Sequence, residues 1–357
     1  MASLRLRDRD ALITREGLIF RVFGYSHPSN ACICDAEYAP EDIFKSDNPK
    51  AFRTDGKHVF YKFYEDEGWK FIKRNFPQYM VFHEILCKKV VGVEYRNIVE
   101  AREPSEALRK LIEIQPKDEL LAALENVLEL MTKCSSLQMK NFGVFGSMLH
   151  GFHHPKFSDI DLIIYGKENV SELRETLQEL YKDKHSLLGN EFESNASVEG
   201  KRWRFQNYSS NEYVWHQQGK MIYTLFKDEK SGKIIKTEFE PVKDWKEIGN
   251  KSFSETRIVQ EGWVKMVARI TEDQDTPFIP SVYGIEPLEV LDGATIANEA
   301  SQIVSYMEEF RMQARKDEKV YVEGNLEEVV APDCRFHEVT LTYCPRYYEQ
   351  VLKVVTD

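Results

Sequence analysis

Two short apolar runs near the middle of the chain constrain its fold more than any other feature. Residues 142–147 read FGVFGS and residues 160–166 read IDLIIYG, and glycine punctuates the end of each run. Short apolar runs closed by turn residues predict β-strands. The first is followed by a stretch up to Gly151 with room for one or two helical turns, and the second by an amphipathic helical stripe of Val170, Leu173, Leu177, Leu180 and Tyr181. Strand, turn, helix, strand and helix in this order predict an α/β arrangement.

The neighbouring segments add a helix and a hairpin to this region. An apolar stripe with helical spacing precedes the first run and comprises Leu120, Leu121, Leu124, Val127, Leu128 and Met131, with Pro116 placed for the first helical turn. Packing on a core is sufficient to explain that stripe. Further on, MIYTLF and IIKTEFEPV flank KDEKSGK, and the Ser231-Gly232 pair predicts the turn of a β-hairpin.

Both flanks of this region have β character. Near the start, GLIFRVFGY, ACICDAEYAP and HVFYKFYEDEGW predict strands, while FIKRNF and YMVFHEILCKK fit helices. Near the end, VQEGWVKMVARI and FHEVTLTY predict strands, and FRMQARKDEKVYVEGNLEEV predicts a hairpin turning at Arg315 to Glu318. We therefore predict an α+β protein with a central α/β domain of mixed sheet and helices at residues 105–250. Residues 1–104 and 251–357 would be β-rich domains, for which small barrels are one form.

Composition limits the class of protein. The 357 residues are 42% hydrophobic and 30% charged, which excludes wholesale disorder and allows two or three domains. No apolar run is long enough to span a membrane, and the start MASLRLRDRD lacks the hydrophobic region of a signal peptide. The six cysteines are scattered without the paired spacing of a structural zinc site. We therefore expect reduced thiols in a cytoplasmic protein without a membrane partner.

The net charge of −11 argues against a protein that coats nucleic acid by charge alone, because phosphate binding needs a basic surface. A local basic groove stays open as an interpretation. Lys201-Arg202-Trp203-Arg204 is the best candidate for it. The alternative is that Trp203 and Phe205 anchor a strand whose other face is charged and solvated.

Asp159 and Asp161 stand on either side of Ile160 in the second apolar run. Because side chains alternate along a strand, both carboxylates point to one face while Ile160 and Leu162 point into the core. Two like charges held in this way repel, and one would take up a proton unless a cation lies between them. A hard dication that prefers oxygen ligands, Mg²⁺ or Mn²⁺, satisfies both.

Gly146 and Ser147 close the first apolar run and suit a phosphate site. Glycine lets the backbone approach a ligand closely, and Ser147 can open a helix whose free N–H groups attract phosphate. Ser147 could also simply cap that helix, and the two roles are compatible. A phosphate cradle facing a carboxylate pair indicates a site for a metal-bound nucleoside triphosphate.

This combination resembles the signature of the DNA polymerase β-like nucleotidyltransferase superfamily. The residues that carry the resemblance are Phe145-Gly146-Ser147, a spacer of eleven residues, and Asp159-Ile160-Asp161-Leu162. The resemblance covers roughly residues 110–245. The chain as a whole resembles an uncharacterised archaeal family of predicted nucleotidyltransferases.

The superfamily uses a third carboxylate on a later strand, and the run Thr237 to Val242 offers two candidates. It resembles the acid-hydrophobic-Asp stretch of the archaeal CCA-adding relatives, with Glu240 at the position of the aspartate. Glu238 would share the face of Glu240 and is the reserve candidate.

The resemblance implies transfer of a nucleoside monophosphate from a nucleoside triphosphate such as ATP to a hydroxyl acceptor, with release of pyrophosphate. Asp159, Asp161 and Glu240 would be the catalytic acids and would hold Mg²⁺ or Mn²⁺. Gly146 and Ser147 would bind the nucleotide through its β- and γ-phosphates. The acceptor could be RNA, a protein side chain or a small molecule.

Two other functions stay open. The first is a binding module on the same fold that has lost catalysis and senses nucleotide or RNA. The second is an antibiotic-modifying enzyme of the aminoglycoside type, which the long β-rich flanks disfavour.

Three histidines, His150, His153 and His154, lie in the segment between Ser147 and Asp159. They lack cysteine or acidic partners at ligand spacing, so we interpret them as loop or core residues rather than metal ligands. His150 could contact the nucleotide.

Overall fold

The computed structural model describes residues 5–83, 88–115, 117–200, 202–249 and 256–355. The chain divides into two compact units, one of residues 1–176 and 226–250 and one of residues 177–225 and 251–357. Pro116, Lys201 and the ILC portion of YMVFHEILCKK lie outside the described residues, together with the glutamate before it. The division of the chain into three domains at residues 104 and 250 stays a prediction.

Six α-helices occur in the described ranges: α1 (Glu67–Asn75), α2 (Pro104–Glu113), α3 (Glu119–Cys134), α4 (Gly146–Leu149), α5 (Lys167–Lys182) and α6 (Ser210–Lys220). The strands before α4 are β1 (Ala11–Thr14), β2 (Ile19–Val22), β3 (Ala31–Pro40), β4 (Phe52–Thr54), β5 (Val59–Lys62), β6 (Met80–His83), β7 (Lys88–Glu94), β8 (Ile98–Arg102) and β9 (Phe142–Val144). The later strands are β10 (Ile160–Tyr165), β11 (Leu188–Asn190), β12 (Tyr223–Asp228), β13 (Lys233–Val242), β14 (Arg257–Asp275), β15 (Ser281–Asp292), β16 (Ala300–Ser305), β17 (Lys319–Ala331), β18 (Cys334–Leu341) and β19 (Val351–Val354).

The N-terminal strands form one sheet in the order β4-β5-β3-β2-β1-β8, with β7 paired to β3 and β6 paired to β7. The ten-residue strand β3 organises it, because β3 pairs with β2, β5 and β7 along its length. Ala11, Ile19 and Tyr38 of this sheet pack against Leu149 and Phe152, which follow β9. That contact brings the N-terminal sheet to the segment that carries the glycine–serine pair.

The middle sheet has the order β11-β12-β13-β10-β9. Strand β10 is parallel to β13 and antiparallel to β9, so the sheet is mixed, as predicted. The helical stripe of α3 is buried as expected, and Val170, Leu173 and Leu177 bury one face of α5. These elements confirm the predicted central α/β arrangement.

The C-terminal strands form a closed barrel. Strands β14, β15, β16, β18 and β17 pair in this order, and β14 pairs back with β17 to complete the ring. The only parallel pair among the registers of this barrel's described residues joins β16 to β18. Apolar side chains such as Val264, Met266, Ile303, Val322 and Leu326 fill the interior. The predicted small barrel is therefore present in the C-terminal flank, whereas the described pairings of the N-terminal sheet run from β4 to β8 as an open order.

Two local predictions were wrong. YMVFHEILCKK does not form a helix over its described residues, because β6 and β7 pair as antiparallel strands in which Val81 lies opposite Val90. The segment before β17 does not form the first arm of a hairpin. Phe310 and Ala314 instead fill the barrel core, and Met312 has a left-handed backbone conformation with φ 48°. Apolar side chains that alternate in sequence can thus fill a barrel without forming a strand.

In the described ranges, no helix combines the length and apolar character that crossing a membrane requires.

Candidate functional site

The aspartate pair lies at the beginning of β10, as the alternation of its side chains predicts. Ile160 and Leu162 are fully buried, and Asp161 is half-buried on the opposite face. Asp159 is exposed and immediately precedes the strand. The acids are thus held by a strand whose apolar partners anchor it in the core.

Gly146 lies directly against this pair. Its φ is 60°, and a β-carbon placed on it would lie 2.5 Å from Oδ2 of Asp161. Any side chain would therefore clash with the carboxylate and would also strain a left-handed backbone. The backbone N–H of the preceding residue, Phe145, donates to the carbonyl of Asp161 at 3.1 Å. The glycine–serine turn is thus in contact with Asp161 at Gly146 and Phe145.

Ser147 occupies the second position of the four-residue helix α4 and is half-buried. Its carbonyl accepts a hydrogen bond from the backbone N–H of Phe152 at 2.8 Å. This bond closes the segment after α4 onto the turn. It fixes the backbone around Ser147 next to Gly146.

The two acids have raised pKa values. The pKa of Asp161 is raised to about 7, chiefly by burial and also by the negative charges of Asp159 and Glu240, while Lys62 and Lys236 act against this rise. Desolvation also raises the pKa of Asp159, and the same two lysines lower it. When two neighbouring acids both have raised pKa values, a cation bound between them would compensate their charge and favour the ionised form of both.

Glu240 on β13 is neutralised by an arginine from the N-terminal sheet region. Its Oε2 accepts hydrogen bonds from Nη2 of Arg9 at 2.8 Å and from Nε at 3.3 Å. Arg9 is 1% exposed and Glu240 is 2% exposed, so the ion pair is buried. Asp8 lies 3.8 Å from Nε of Arg9 and adds a second acid to the pair.

Glu238 lies closer to the aspartates along the sheet. It is the register partner of Asp161 in the parallel pairing of β10 with β13, whereas Glu240 is the partner of Ile163. Register partners project to the same face and lie roughly 5 Å apart between backbones. Glu238 is half-buried, so it is more accessible to a solvated ion than Glu240.

The donor set fits a hard dication through its two aspartates. Both are oxygen donors on one face, and the absence of a side chain at Gly146 leaves room for the carboxylate of Asp161. Over the described residues, no three His, Cys, Asp or Glu side chains are already gathered at metal-binding distance. The aspartate pair would therefore hold a metal together with ligands from a bound triphosphate, which is usual for Mg²⁺.

Sequence reasoning missed Arg9 and Lys62, both from the N-terminal sheet region. Lys62 lies at the end of β5, where its register partner is Tyr38. The ring of Tyr38 lies 5.3 Å from that of His150, which directly follows α4. Neither cation is near the motif in sequence, so only the packing of the N-terminal sheet on α4 reveals it.

The three histidines have structural partners, and that of His154 is local, because its Nδ1 accepts a hydrogen bond from the backbone N–H of Lys156 at 3.1 Å. Nδ1 of His150 lies 3.1 Å from Nη1 of Arg102, and its Nε2 lies 3.7 Å from Glu37. Nε2 of His153 lies 3.1 Å from Asp118. The acidic partners that the local sequence lacks are therefore supplied from distant segments. These contacts agree with loop and core roles.

The described part of the basic run at residues 202–204 belongs to the second unit. Trp203 and Phe205 pack against the barrel core, and Nε1 of Trp203 donates to the carbonyl of Tyr208 at 2.5 Å. Arg204 donates to the hydroxyl of Tyr348 at 2.9 Å. The aromatic residues thus anchor the segment, although they lie outside any strand.

Comparison with known proteins agrees with the motif. Residues 127–216 match the model of the nucleotidyltransferase domain family, and this range contains Gly146, Ser147, Asp159 and Asp161. Over 332 residues, the chain is 26% identical to the uncharacterised protein MJ1086 of Methanocaldococcus jannaschii, and the match covers 92% of each chain. No solved structure matches the chain. The similarity to the archaeal protein extends through both β-rich flanks.

Proposed function

We propose that the protein, whose residues 127–216 match the nucleotidyltransferase domain family, transfers a nucleoside monophosphate from a nucleoside triphosphate to a hydroxyl acceptor. In this reaction the acceptor oxygen bonds to the α-phosphorus as the bond to the pyrophosphate oxygen breaks. The observation that carries the proposal is the contact of Gly146 with the carboxylate of Asp161. That contact supports a site in which the proposed phosphate-binding turn lies against an acid of the proposed metal-binding pair.

Asp159 and Asp161 would hold Mg²⁺ or Mn²⁺ through their oxygens. The metal supplies charge compensation for the triphosphate and lowers the pKa of the attacking hydroxyl. Gly146 and Ser147 would bind the β- and γ-phosphates through backbone N–H groups. These groups would compensate the negative charge of the leaving pyrophosphate. ATP is one candidate nucleotide. The protein's contribution would be mainly placement and electrostatics.

Lys62 and Lys236 would compensate the remaining phosphate charge. Both act electrostatically on the two aspartates, and Lys236 lies on β13 one residue before the register partner of Ile160. A triphosphate bound at this cleft would carry more negative charge than one metal ion offsets. Two nearby ammonium groups supply the balance.

For the third acid, the geometry gives Glu238 the stronger case. The ion pair with Arg9 leaves Glu240 neutralised and buried, whereas Glu238 lies opposite Asp161 and is accessible. Glu238→Gln is therefore expected to weaken Mn²⁺ binding more than Glu240→Gln. Isothermal titration with the same nucleotide measures both variants. A greater loss of Mn²⁺ binding in Glu240→Gln would identify Glu240 as the third ligand.

The C-terminal barrel gives limited support to nucleic acid as the acceptor. Five-stranded barrels such as the OB-fold bind oligonucleotides. Over residues 257–355, however, the sequence has 18 acidic and 10 basic side chains, which disfavours a phosphate-binding groove on this part. RNA stays one candidate acceptor beside a protein side chain or a small molecule.

One observation favours the alternative of a nucleotide-binding module without catalysis. The buried ion pair with Arg9 occupies one oxygen of Glu240, the acid at the position that the resemblance assigns to the third ligand. If Glu238 does not replace it, the chain would bind nucleotide without transferring it.

The test is incorporation of labelled nucleoside triphosphates, with Mg²⁺ or Mn²⁺, into total RNA and into the protein itself. Asp159→Asn combined with Asp161→Asn is expected to lower transfer by more than the roughly 100-fold that loss of an outer-sphere metal partner costs. Asp183→Asn, at an exposed position beyond α5, is the matched control. Transfer that survives the double change would refute the site. Metal-dependent nucleotide binding without any transfer would support the binding module.

A further inference from the structure

Two exposed apolar side chains adjoin the candidate acids in the first unit. Phe157 precedes Asp159 by two residues and is 83% exposed, the largest fraction of any large apolar side chain in the described ranges. Ile234 lies near the beginning of β13 and is 65% exposed. Single apolar residues at a surface are common, whereas neighbouring ones beside a candidate site indicate a place where a ligand binds. The proposed function assigns no role to either residue.

The alternation of β13 places Ile234 on the same face of the middle sheet as the candidate acids. Glu238 is the register partner of Asp161, and side chains two residues apart along a strand share a face. Lys236 and then Ile234 therefore follow Glu238 on this face, at steps of roughly 7 Å. Thr237, which points to the other face, is fully buried, as this alternation requires. The face thus changes from acidic to basic to apolar toward the beginning of β13.

The turn that carries Phe157 lies beside the beginning of β13. Nζ of Lys233, the first residue of β13, lies 2.6 Å from Oε2 of Glu119. The hydrogen bond from Lys233 lowers the pKa of Glu119, and the charge of Lys156 acts in the same direction. Lys156 directly precedes Phe157, so the turn and the beginning of β13 lie near one carboxylate. Phe157 and Ile234 therefore belong to one part of the surface.

Hydrogen bonds within the turn hold Phe157 in place. The backbone N–H groups of Phe157 and Ser158 donate to the carbonyl of His154 at 3.2 and 3.1 Å, and the N–H of His154 donates to Oγ of Ser158 at 2.9 Å. The rings of His154 and Phe157 lie 4.7 Å apart, with 33° between their planes. The imidazole thus supports the phenyl ring, most of which stays open to solvent. A ring that is held before binding loses little conformational freedom when a ligand binds.

The order of the strands determines which end of a bound triphosphate lies near these residues. The Gly146-Ser147 turn follows β9, and β9 and β13 lie on opposite sides of β10 in the sheet. In the proposed function the turn binds the β- and γ-phosphates, and the aspartates at the beginning of β10 hold the metal. A triphosphate that crosses β10 from the turn brings its α-phosphate, and with it the nucleoside, toward β13. There Lys236 would compensate the α-phosphate, and the apolar pair would lie beyond it.

We propose that Phe157 and Ile234 bind the nucleobase of the donor nucleotide, with the base stacked on the phenyl ring and in contact with the Ile234 side chain. Stacking on an aromatic side chain tolerates any base, because every base has a π-face. Neither side chain has a hydrogen-bonding group, so the two residues would raise the affinity for all four nucleotides and would not select among them. The inference rests on the proposed function, since it takes its ligand from the transferase reaction, and adds the residues that bind the base.

The test compares ligands that have a base with one that has none. The full chain with Mn²⁺ is titrated calorimetrically with the α,β-methylene analogues of ATP, CTP, GTP and UTP, which cannot transfer the nucleotidyl group, and with inorganic tripolyphosphate. Phe157→Ala is expected to weaken binding of every nucleotide analogue on the order of tenfold through lost stacking. Binding of tripolyphosphate should be unchanged. Phe157→Trp should retain nucleotide binding, because the indole also stacks.

Phe82→Ala is the matched control, because Phe82 is a 54% exposed phenyl side chain on β6 of the same unit. It should leave the affinities for nucleotide and tripolyphosphate unchanged. Ile234→Ser is expected to weaken nucleotide binding roughly fourfold, as for the loss of one buried methylene. Melting temperatures show whether each variant is folded.

The inference is overturned if Phe157→Ala leaves the nucleotide affinities unchanged, or if it weakens tripolyphosphate binding by the same factor. An equal loss of nucleotide binding in Phe82→Ala would also overturn it. In these cases the wild-type chain still binds a metal-bound triphosphate, so the proposed function stands. A wild-type chain that binds neither the nucleotide analogues nor tripolyphosphate would refute the proposed function together with this inference.

Discussion

At the scale of residues, the candidate site depends on how Asp161 shares its surroundings with Asp159 and two lysines. Burial and the second acid oppose the ionisation of Asp161, while Lys62 and Lys236 favour it. The metal-free protein therefore holds Asp161 partly protonated near neutral pH. A cation bound between the aspartates would displace that proton.

This balance predicts that Mn²⁺ affinity rises with pH and levels off above about 7, because the metal competes with the proton on Asp161. Mn²⁺ titrations between pH 5.5 and 8.5 measure the slope. Affinity that is flat across this range would contradict the raised pKa of Asp161.

The same pKa also predicts how the stability of the metal-free protein depends on pH. The folded-state pKa of Asp161, about 7, lies above the ordinary value of 3.8, so the folded state binds the proton more tightly than the unfolded state. Stability from this group is present below pH 4 and is lost as pH rises to about 7. Asp161→Asn should flatten the fall in melting temperature over this window. An unchanged profile in the variant would assign the pH dependence to other groups.

At the scale of elements, the conformation of the turn between β9 and α4 depends on Gly146, because glycine has no side chain. Gly146 has a left-handed backbone and contacts the carboxylate of Asp161 where a β-carbon would be. The carbonyl of Asp161 on β10 accepts a hydrogen bond from the backbone N–H of Phe145, and this bond holds the turn against the strand. The contact between the turn and β10 therefore depends on the backbone conformation of Gly146 and on the hydrogen bond from Phe145.

Gly146→Ala is predicted to abolish nucleotide and metal binding, because its β-carbon would displace the Asp161 carboxylate. Gly151→Ala is the matched control, since Gly151 has φ 71° but no atom within 4 Å of its β-carbon position. Both changes carry the backbone cost of roughly 1–2 kcal/mol, and only the first clashes with the site. Nucleotide titration and melting temperature separate the two effects. Equal loss of binding in both variants would mean that strain alone is responsible.

At the scale of the whole molecule, the N-terminal sheet takes part in the site within the first unit. Arg9 forms a buried ion pair with Glu240 and lies 5.9 Å above the ring of Phe145, the residue before the glycine turn. Arg9 itself has a left-handed backbone with φ 70°. One side chain thus connects the N-terminal sheet to β13 and to the turn.

Arg9→Met is predicted to lower the free energy of unfolding of the first unit by about 3–5 kcal/mol, because it removes the buried ion pair of Glu240 with Arg9. Adding Glu240→Met should recover part of that loss, since the uncompensated charge is then removed. Hydrogen exchange of β10 and β13 amides, compared across the two variants, measures the effect. Strictly additive losses in the double variant would contradict a direct coupling.

The sequence by itself determined the central features of the candidate site. The Gly146-Ser147 turn, the alternation that puts Asp161 on the face opposite the buried Ile160, and the hairpin leading to Glu238 all follow from local patterns. Local patterns are reliable here because a strand's period and a glycine's conformational freedom are properties of neighbouring residues. The segments at YMVFHEILCKK and before β17 were misjudged, because short apolar runs fit more than one structure.

Tertiary structure alone decided which distant groups act on these acids. Arg9 and Lys62 reach the site only because the N-terminal sheet packs on α4, more than 80 residues further along the chain than Lys62. The tertiary structure also distinguishes Glu240 from Glu238, because it places the buried Arg9 in an ion pair with Glu240. Such pairings depend on the free energy of burying charges together, and that energy is set by the packing of the folded chain rather than by the spacing of residues along it.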